Sequence, residues 1–269
     1  MVAPLAEAGV PFLEATETAM QALRHAHEYH RFLSRPATPP SATRRSAWIP
    51  AAHGVLGNAD AMRLFGEFGI PLAATLTAAD ADAAVKAAEE LGYPVVLKID
   101  SPDVVHKTDV GGVRVGCRDA AEAREAFGEI VASVSAKAPQ ARIHGVLVQR
   151  MIAGGVEMIV GVKSDPLFGP AVVCGFGGVF VEVLRDVAVR VPPLSIDDAR
   201  EMVAALRGAA LLRGVRGRAP ADVDALARAI VAVATLAEAH RENLRALDLN
   251  PLVVLERGVV AVDWLIEFA

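Results

Sequence analysis

Two lysines, a histidine and paired glycines occur within one fifteen-residue stretch, Lys98–Gly112, which reads K-I-D-S-P-D-V-V-H-K-T-D-V-G-G. The stretch follows a short apolar run that is typical of a buried strand. Glycines such as Gly111 and Gly112 let backbone N–H groups approach an anion closely, and the ammonium groups of Lys98 and Lys107 add positive charge. These residue types predict a loop that binds phosphate. A surface loop with ordinary solvated charges is the alternative.

A second group of polar residues interrupts an apolar stretch near the end of the chain. Asp248 and Asn250 are two residues apart on a predicted strand, so both side chains point to one face. Asp263, on the next predicted strand, could join them. Carboxylate and amide oxygens suit Mg²⁺. Because polar groups in so apolar a run are costly without a partner, the pattern favours a ligand site over an Asx turn at Asn250.

Three weaker signals lie between these groups. The strand end at Gln149–Met151 offers backbone groups for the edge of a flat base, and Glu157 could hold a ribose, but taken alone this segment favours an ordinary strand end. The glycine-rich run 175–182 suits either phosphate or tight turns between strands. Arg216 could reach a phosphate or interact with the C-terminus of a helix.

Composition excludes several classes of function. The net charge of −5 and the aromatic content of 5% argue against nucleic-acid binding, which needs a basic face or a stacking surface. Cys117 and Cys174 both lie in apolar runs, which indicates packed thiols rather than a metal site. The sequence has no signal-peptide pattern and no apolar run of membrane-spanning length. We therefore expect a cytoplasmic protein that binds neither nucleic acid nor membrane.

Helical and strand-like segments alternate along most of the chain, which predicts an α/β or α+β layered fold. A helix over 14–32 and a proline-rich linker precede a folded region that begins near residue 57. There, Asn58 is the expected N-cap of a helix that ends at Phe68. The other predicted helices span 78–91, 119–137, 196–206 and 221–239. The predicted strands span 9–12, 71–77, 95–99, 113–117, 143–150, 156–162, 171–176, 187–191, 247–255 and 259–264.

Taken in order, these motifs resemble the ATP-grasp, beta-subunit-like part of the NDP-forming acyl-CoA synthetases, relatives of succinyl-CoA synthetase. The resemblance covers about residues 57 to 269. The matching runs are Y-P-V-V-L-K-I at 93–99, S-P-D-V-V-H-K-T-D-V-G-G-V at 101–113, G-V-L-V-Q-R-M at 145–151, D-P-L-F-G-P at 165–170, G-F-G-G-V-F-V-E-V-L-R-D-V-A at 175–188, L-L-R-G-V-R-G at 211–217 and L-D-L-N-P-L at 247–252.

The resemblance implies an ATP-grasp fold of two lobes, 57–148 and 149–269, with a nucleotide bound between them. Residues 1–34 resemble the end of the CoA-ligase domain that precedes the ATP-grasp part in fused members, and 35–56 resemble the linker after it. The implied partners are therefore CoA-binding and ligase domains or an alpha-type subunit. The implied activity is that of an acid–thiol ligase, incomplete without those domains.

The implied reaction is acyl-CoA + ADP + phosphate ⇌ acid + CoA + ATP, through a phosphohistidine, with ATP/ADP and Mg²⁺ as cofactors. By residue match, His106 relays the phosphoryl group and Asp248 is an acidic group near it. Asn250 and Asp263 match the Mg²⁺ ligands. The residues matched to the nucleotide or assigned to its phosphates are Lys98, Lys107, Gly111, Gly112, Gln149, Met151, Glu157 and Arg216.

The sequence departs from the family's pattern at one position. Where the family usually reads D-A-R, this chain has Asp263-Trp264-Leu265, so the ordering of phosphate or metal at this point is in doubt. Two other functions remain open. One is a nucleotide-sensing regulatory ATP-grasp module, as in a fusion to an acetyltransferase, and the other is a carboxylate–amine ligase of the same fold.

Overall fold

The computed structural model describes residues 7–8, 15–34, 53–104, 106–178, 186–214 and 219–269. The chain divides into two units, 1–39 and 40–269. The described part of the first unit is mainly helix α1, Thr16–Leu33, which agrees with the predicted helix 14–32. The strand predicted over 9–12 and most of the linker lie outside the described residues.

A four-stranded antiparallel sheet with two helices on one face forms the first part of the second unit. Its strands run in the order β2-β5-β3-β4. The bounds are β2 Thr75–Ala78, α3 Ala81–Leu91, β3 Val95–Asp100, β4 Val113–Cys117, α4 Ala120–Lys137 and β5 Gly145–Arg150. Because side chains alternate along a strand, Val95, Leu97 and Ile99 enter the core beneath α3 and α4, and Lys98 points to the opposite face. Asp80 and Asp119 cap the two helices.

A larger antiparallel sheet forms the rest of the unit, in the order β1-β11-β9-β6-β7-β8, with β10 paired to β9. The bounds are β1 Gly54–Val55, α2 Asn58–Glu67, β6 Val156–Asp165, β7 Gly169–Phe176, β8 Val187–Arg190, α5 Ile196–Ala204, a 3₁₀ helix Arg207–Arg213, α6 Val223–Ala239, β9 Leu244–Val254, β10 Val259–Ala261 and β11 Trp264–Phe268. Buried side chains of α2, α5 and α6 share one core with alternate residues of these strands. None of the helices in the described part of the chain is long and apolar enough to cross a membrane. The two-sheet architecture confirms the predicted mixed α/β fold.

The segment around α2 differs from the sequence prediction. Gly57, not Asn58, is the N-cap, and the amide of Asn58 donates instead to Asp100 Oδ1 at 2.7 Å. Leu64 and Phe65 of α2 are buried in the core of the larger sheet, although the predicted first lobe, 57–148, includes them. Gly54–Val55, expected in the linker, pairs with β11 as a short strand. A tertiary contact therefore takes priority over the local capping preference of asparagine.

Strand bounds near the C-terminus also shift. The predicted strand 259–264 is two strands, β10 and β11, which both pair with β9. The predicted strand 71–77 is shorter, since only Thr75–Ala78 joins the smaller sheet, and Pro71 and Ala73 bond instead with Ala261 of β10. Consequently β1 and β11, from the two ends of the described part of this unit, lie next to each other at one edge of the larger sheet.

Candidate functional site

A cavity of about 230 Å³ lies between the loop after β3, the middle of β9 and the beginning of β11. It is lined by Val55, Leu56, Gly57, Asn58, Ser101, Pro102, Val104, His106, Lys107, Asp248, Asn250, Asp263, Trp264 and Leu265. Five residues that the sequence singled out are therefore brought to one place: His106, Lys107, Asp248, Asn250 and Asp263.

Two lysines from the smaller sheet and its loop reach the larger lobe beside this cavity. Lys98 is only 7% exposed, and its ammonium donates to the carbonyl oxygen of Val262 at 2.7 Å. It also lies 4.0 Å from Asp263 Oδ1, while the Lys107 ammonium lies 3.3 Å from the same oxygen. Burial lowers the pKa of Lys98, the charge of Asp263 opposes that effect, and the charge of Lys107 adds to it. Two cationic groups thus converge on one carboxylate.

The loop that follows β3 presents His106 at the surface of the cavity. His106 is exposed, and its backbone carbonyl accepts a hydrogen bond from Asp109 N at 3.2 Å. Gly112 N donates to Lys107 O at 2.7 Å, which closes the loop. A histidine held in a short closed loop beside lysines and carboxylates is placed to act as a nucleophile.

The paired glycines of this loop lie elsewhere. A Cβ at Gly111, whose φ is +71°, would lie 2.6 Å from Ser133 Oγ, and one at Gly112 would lie 2.7 Å from Ile99 Cγ2. Neither glycine lines the cavity. Close packing against helix α4 and the core face of β3 therefore accounts for both glycines, and their contact with phosphate stays a prediction.

Of the oxygen donors, Asp248 and Asn250 lie on β9, whereas Asp263, predicted on a strand, lies in the short bend between β10 and β11. Asp248 on β9 pairs with Leu265 on β11, and Asn250 N donates to Asp263 O at 3.1 Å. Burial raises the pKa of Asp248; the negative charge of Asp263 adds to this effect, while a hydrogen bond with Asn250 opposes it. Asn250 lies within β9, not in a turn before Pro251.

This donor set has the chemistry of a hard-cation site. Two carboxylates and one amide are oxygen ligands of the kind that Mg²⁺ prefers, and Mg²⁺ also keeps waters or phosphate oxygens. Across the described ranges, no group of three or more His, Cys, Asp and Glu side chains forms a metal cluster. Because they supply only three oxygen donors, Asp248, Asn250 and Asp263 fit a cation that takes its remaining ligands from a phosphate or from water.

The residues matched to the nucleotide base lie outside this cavity. Gln149 is 1% exposed, its Nε2 donates to Thr75 Oγ1 at 3.0 Å, and its buried Oε1 has no hydrogen-bond partner among the described residues. Met151 N donates to Pro94 O at 3.2 Å. Glu157 is exposed on β6, where its carbonyl accepts from Gly177 N. Arg216 lies outside the described residues.

Sequence reasoning missed two contacts at this site. The first is the bond from Asn58 to Asp100, which joins α2 to the end of β3. The second is an ion pair between Asp103 and Arg142 at the base of the histidine loop. No local pattern could have revealed either contact, because 42 residues separate the first pair and 39 the second.

Comparisons with family models and with known proteins agree on one family. A model of the ATP-grasp domain matches residues 48–268. The ADP-forming acetate–CoA ligase I of Archaeoglobus fulgidus is 46% identical over 211 residues, which are 78% of this chain and 30% of that protein. The beta subunit of ADP-forming acetate–CoA ligase I from Pyrococcus furiosus is 42% identical over 204 residues, which are 76% of this chain and 88% of that subunit.

Solved structures agree with these relatives. The dinucleotide-forming acetyl-coenzyme A synthetase 1 of Ca. Korarchaeum cryptofilum, in complex with coenzyme A and Ca-AMPCP, has 41% identity and a TM-score of 0.77, over 80% of this chain and 94% of that chain. A second structure of that enzyme holds coenzyme A and Mg-AMPPCP, with a phosphohistidine segment pointing towards the nucleotide site; it has 38% identity and a TM-score of 0.69, over 81% of this chain and 93% of that one.

The family match and the beta-subunit match each extend over most of the segment that carries the two sheets. The chain spans about 30% of the length of its single-chain relative from A. fulgidus. On this evidence, the chain belongs to the ATP-grasp family, with the beta subunits of the ADP-forming acetate–CoA ligases.

Proposed function

We propose that this chain is the nucleotide-binding part of an NDP-forming acyl-CoA synthetase and transfers a phosphoryl group between a phosphohistidine and ADP or ATP. The whole reaction would be acyl-CoA + ADP + phosphate ⇌ acid + CoA + ATP. The observation that carries this proposal is that one cavity is lined by His106, Lys107 and the oxygen donors Asp248, Asn250 and Asp263. A nucleophile, a cation and metal-type ligands are the groups that phosphoryl transfer requires.

His106 would carry the phosphoryl group. In the direction from ATP, a lone pair of the neutral imidazole forms the N–P bond while the bond from the γ-phosphorus to the bridging oxygen breaks. ADP leaves with that oxygen, and the imidazole releases a proton to solvent. Charge neutralisation and placement supply most of the catalysis in such a transfer. Lys98 and Lys107, whose ammonium groups lie 4.0 and 3.3 Å from Asp263 Oδ1, would supply the neutralising charge.

An amide and a carboxylate oxygen would hold Mg²⁺. Asn250 and Asp263 are the proposed ligands, and Asp248 stands beside the transferred group. When bound, Mg²⁺ would offset the negative charge of the phosphate groups. The Lys107 ammonium donates to Asp263 Oδ1, and this hydrogen bond helps to orient the carboxylate. The second Korarchaeum structure, which holds Mg-AMPPCP, supports this proposal by analogy.

The nucleotide base would lie near the end of β5. The buried Oε1 of Gln149, which has no partner in the part of the chain described, is an acceptor suited to an exocyclic amino group such as that of adenine. Met151 would contact the base and Glu157 the ribose. The unsatisfied amide oxygen supports this role, since a buried acceptor without a donor is costly.

The remaining domains would come from elsewhere. The chain covers 88% of a separate beta subunit but only 30% of a single-chain relative. We therefore propose that CoA-binding and ligase domains, in another subunit or in a longer polypeptide, generate the acyl phosphate and bring its phosphoryl group to His106.

The test uses the transfer from ATP, which needs only this chain. Incubation with Mg²⁺ and γ-labelled ATP should give an acid-labile, base-stable label, and peptide mapping should locate it at His106. His106→Ala should abolish the label, whereas His27→Ala, at an exposed histidine of α1, should keep it. Nucleotide binding in calorimetry without any label would favour the regulatory module, and the absence of both would overturn the proposal.

A further inference from the structure

The loop that carries His106 is anchored by an ion pair three residues before the histidine. Asp103 Oδ1 accepts from Arg142 Nη2 at 2.8 Å, and Oδ2 accepts from Arg142 Nε at 2.9 Å. The backbone N–H of Arg142 donates to the same Oδ2 at 2.9 Å. Together these bonds hold the pKa of the Asp103 carboxyl well below its usual range. The fork geometry fixes the direction of the carboxylate as well as its distance.

Both ends of the anchor are tied to rigid parts of the smaller sheet. Arg142 comes three residues before β5, which pairs with β2 on one side and with β3 on the other. Next to Asp103, Val104 is 6% exposed and belongs to the core beneath α3 and α4. Asp103 N also donates to Ser101 Oγ at 3.2 Å. The first half of the loop is therefore held at Asp103 and Val104.

The second half of the loop is closed independently. Lys107 O accepts from Gly112 N at 2.7 Å, and Ser133 Oγ donates to Val110 O at 2.7 Å. His106 is thus exposed between an anchored entry and an anchored exit. The exit is held by backbone bonds and by helix α4, whereas the entry is held by the Asp103–Arg142 pair together with the bond from Asp103 N to Ser101 Oγ.

The position of this pair suggests that stability is not its main role. The side chains of Arg142 and Asp103 are 70% and 35% exposed, and exposed ion pairs contribute little to the stability of a fold. A nucleophile, by contrast, is sensitive to small displacements, because misplacement by about 1 Å can reduce a rate about a hundredfold. A bidentate, exposed pair that holds the loop of His106 is therefore better suited to placing the nucleophile than to stabilising the fold.

We propose that Asp103 and Arg142 are positioning residues that hold His106 in line with the phosphoryl group. This inference rests on the proposed function. Neither residue lines the cavity, so the pair would act only through the position of the loop. Loss of the pair should slow phosphorylation of His106 while leaving the affinity for nucleotide unchanged, since Lys98 and the oxygen donors are held by other contacts.

The experiment measures the initial rate of His106 labelling by γ-labelled ATP in Arg142→Ala, Arg142→Lys and Asp103→Asn. Arg124→Ala is the matched control, because it breaks an exposed ion pair to Asp82 on the same smaller lobe, with a distance of 2.5 Å. We expect the rate to fall about tenfold to a hundredfold in Arg142→Ala and Asp103→Asn, with the KM for ATP within about twofold of the unaltered chain. Arg142→Lys, which keeps the charge but loses the fork, should be intermediate.

The possible failures can be told apart. If the unaltered chain is never labelled at His106, the proposed function fails and the positioning role fails with it. If it is labelled and Arg142→Ala matches Arg124→Ala, the positioning role alone is overturned. A fall in rate that only follows a fall in ATP affinity, or in the folded fraction measured by circular dichroism, would also overturn it.

Discussion

The ammonium of Lys107 lies 3.3 Å from Asp263 Oδ1 and links the histidine loop to the larger sheet. Lys98 approaches the same oxygen at 4.0 Å and bonds to Val262 O, so both lysines of the predicted phosphate-binding stretch contact the bend between β10 and β11, which supplies a proposed metal ligand. Because phosphate oxygens attract lysines and cations attract carboxylates, these residues can serve both parts of a metal–nucleotide complex. The convergence of the two lysines on Asp263 predicts that they contribute to nucleotide binding.

Lys98→Ala should weaken the binding of Mg-ADP at least tenfold, which corresponds to about 1.4 kcal/mol of binding free energy. The substitution removes a buried charge next to Asp263. Calorimetric titration measures the dissociation constant, and Lys86→Ala, which removes an exposed lysine from α3, is the control. Equal affinities in the two variants would exclude Lys98 from the nucleotide site.

Leu265→Arg should lower the pKa of Asp248. Leu265 is directly opposite Asp248 in the antiparallel pair of β9 and β11, where Cβ atoms lie about 5 Å apart. Burial currently raises the pKa of this carboxyl, and a guanidinium on the neighbouring strand would favour the charged form. Carboxyl ¹³C shifts followed against pH measure the change, with Asp248→Asn for assignment. Leu265→Met should leave the titration unchanged, and an unshifted midpoint in Leu265→Arg would contradict the predicted pairing.

The free energy of unfolding should decrease as the pH falls through the range in which histidine usually titrates, because His240 is buried. Its ring is 4% exposed and lies between Phe68 and Phe268, with centroids 6.0 and 5.5 Å away. Burial lowers the pKa of His240, while the charge of Glu67 opposes that effect. The neutral form is therefore favoured in the folded state, so its contribution is present above the unfolded pKa of about 6.5 and is lost below it.

Urea unfolding between pH 7.5 and pH 5.5 tests this expectation. The slope due to one histidine is at most about 1.4 kcal/mol per pH unit, and His240→Leu should remove that part of the slope. His27→Leu, at an exposed position, should not change it. A pH dependence that persists in full in His240→Leu would show that other groups cause it.

Asp222→Ala should destabilise the larger lobe by about 1–2 kcal/mol at pH 7. Asp222 caps α6 by accepting from Ala225 N at 2.9 Å, and its other oxygen accepts from Gly258 N at 2.8 Å. The hydrogen bond from Gly258 N lowers the pKa of the Asp222 carboxyl most, and the bond from Ala225 N lowers it further. Its stabilisation is therefore present above the unfolded pKa and is lost as the pH falls through the folded pKa.

Denaturant midpoints at pH 7 measure this loss, with Asp224→Ala in the first turn of the same helix as the control. Asp224 makes only an exposed ion pair with Arg200, so its removal should cost well under about 1 kcal/mol. If both variants lose the same stability, the cap and the link to Gly258 do not have the role assigned to them.

Several features follow from the sequence because they depend on short-range geometry. Strand β4, Val113–Cys117, has the predicted bounds, and the alternation of Val95, Leu97 and Ile99 identifies the core face of β3. The same period of two puts Asp248 and Asn250 on one side of β9, and both line the cavity. Neighbouring residues alone set these patterns, so no knowledge of the sheet order is needed.

The tertiary structure decided the partners of these residues. Lys98 bonds to Val262, which is 164 residues away in the sequence. Asn58 is not the N-cap that the sequence predicts, and its side chain bonds to Asp100. Gly111 and Gly112 are small because Ser133 and Ile99 lie against them. The sequence by itself determined which residue types face the same way. Only the order of the strands and the packing of the two lobes determined which of them meet, because contacts between distant segments leave no local pattern to read.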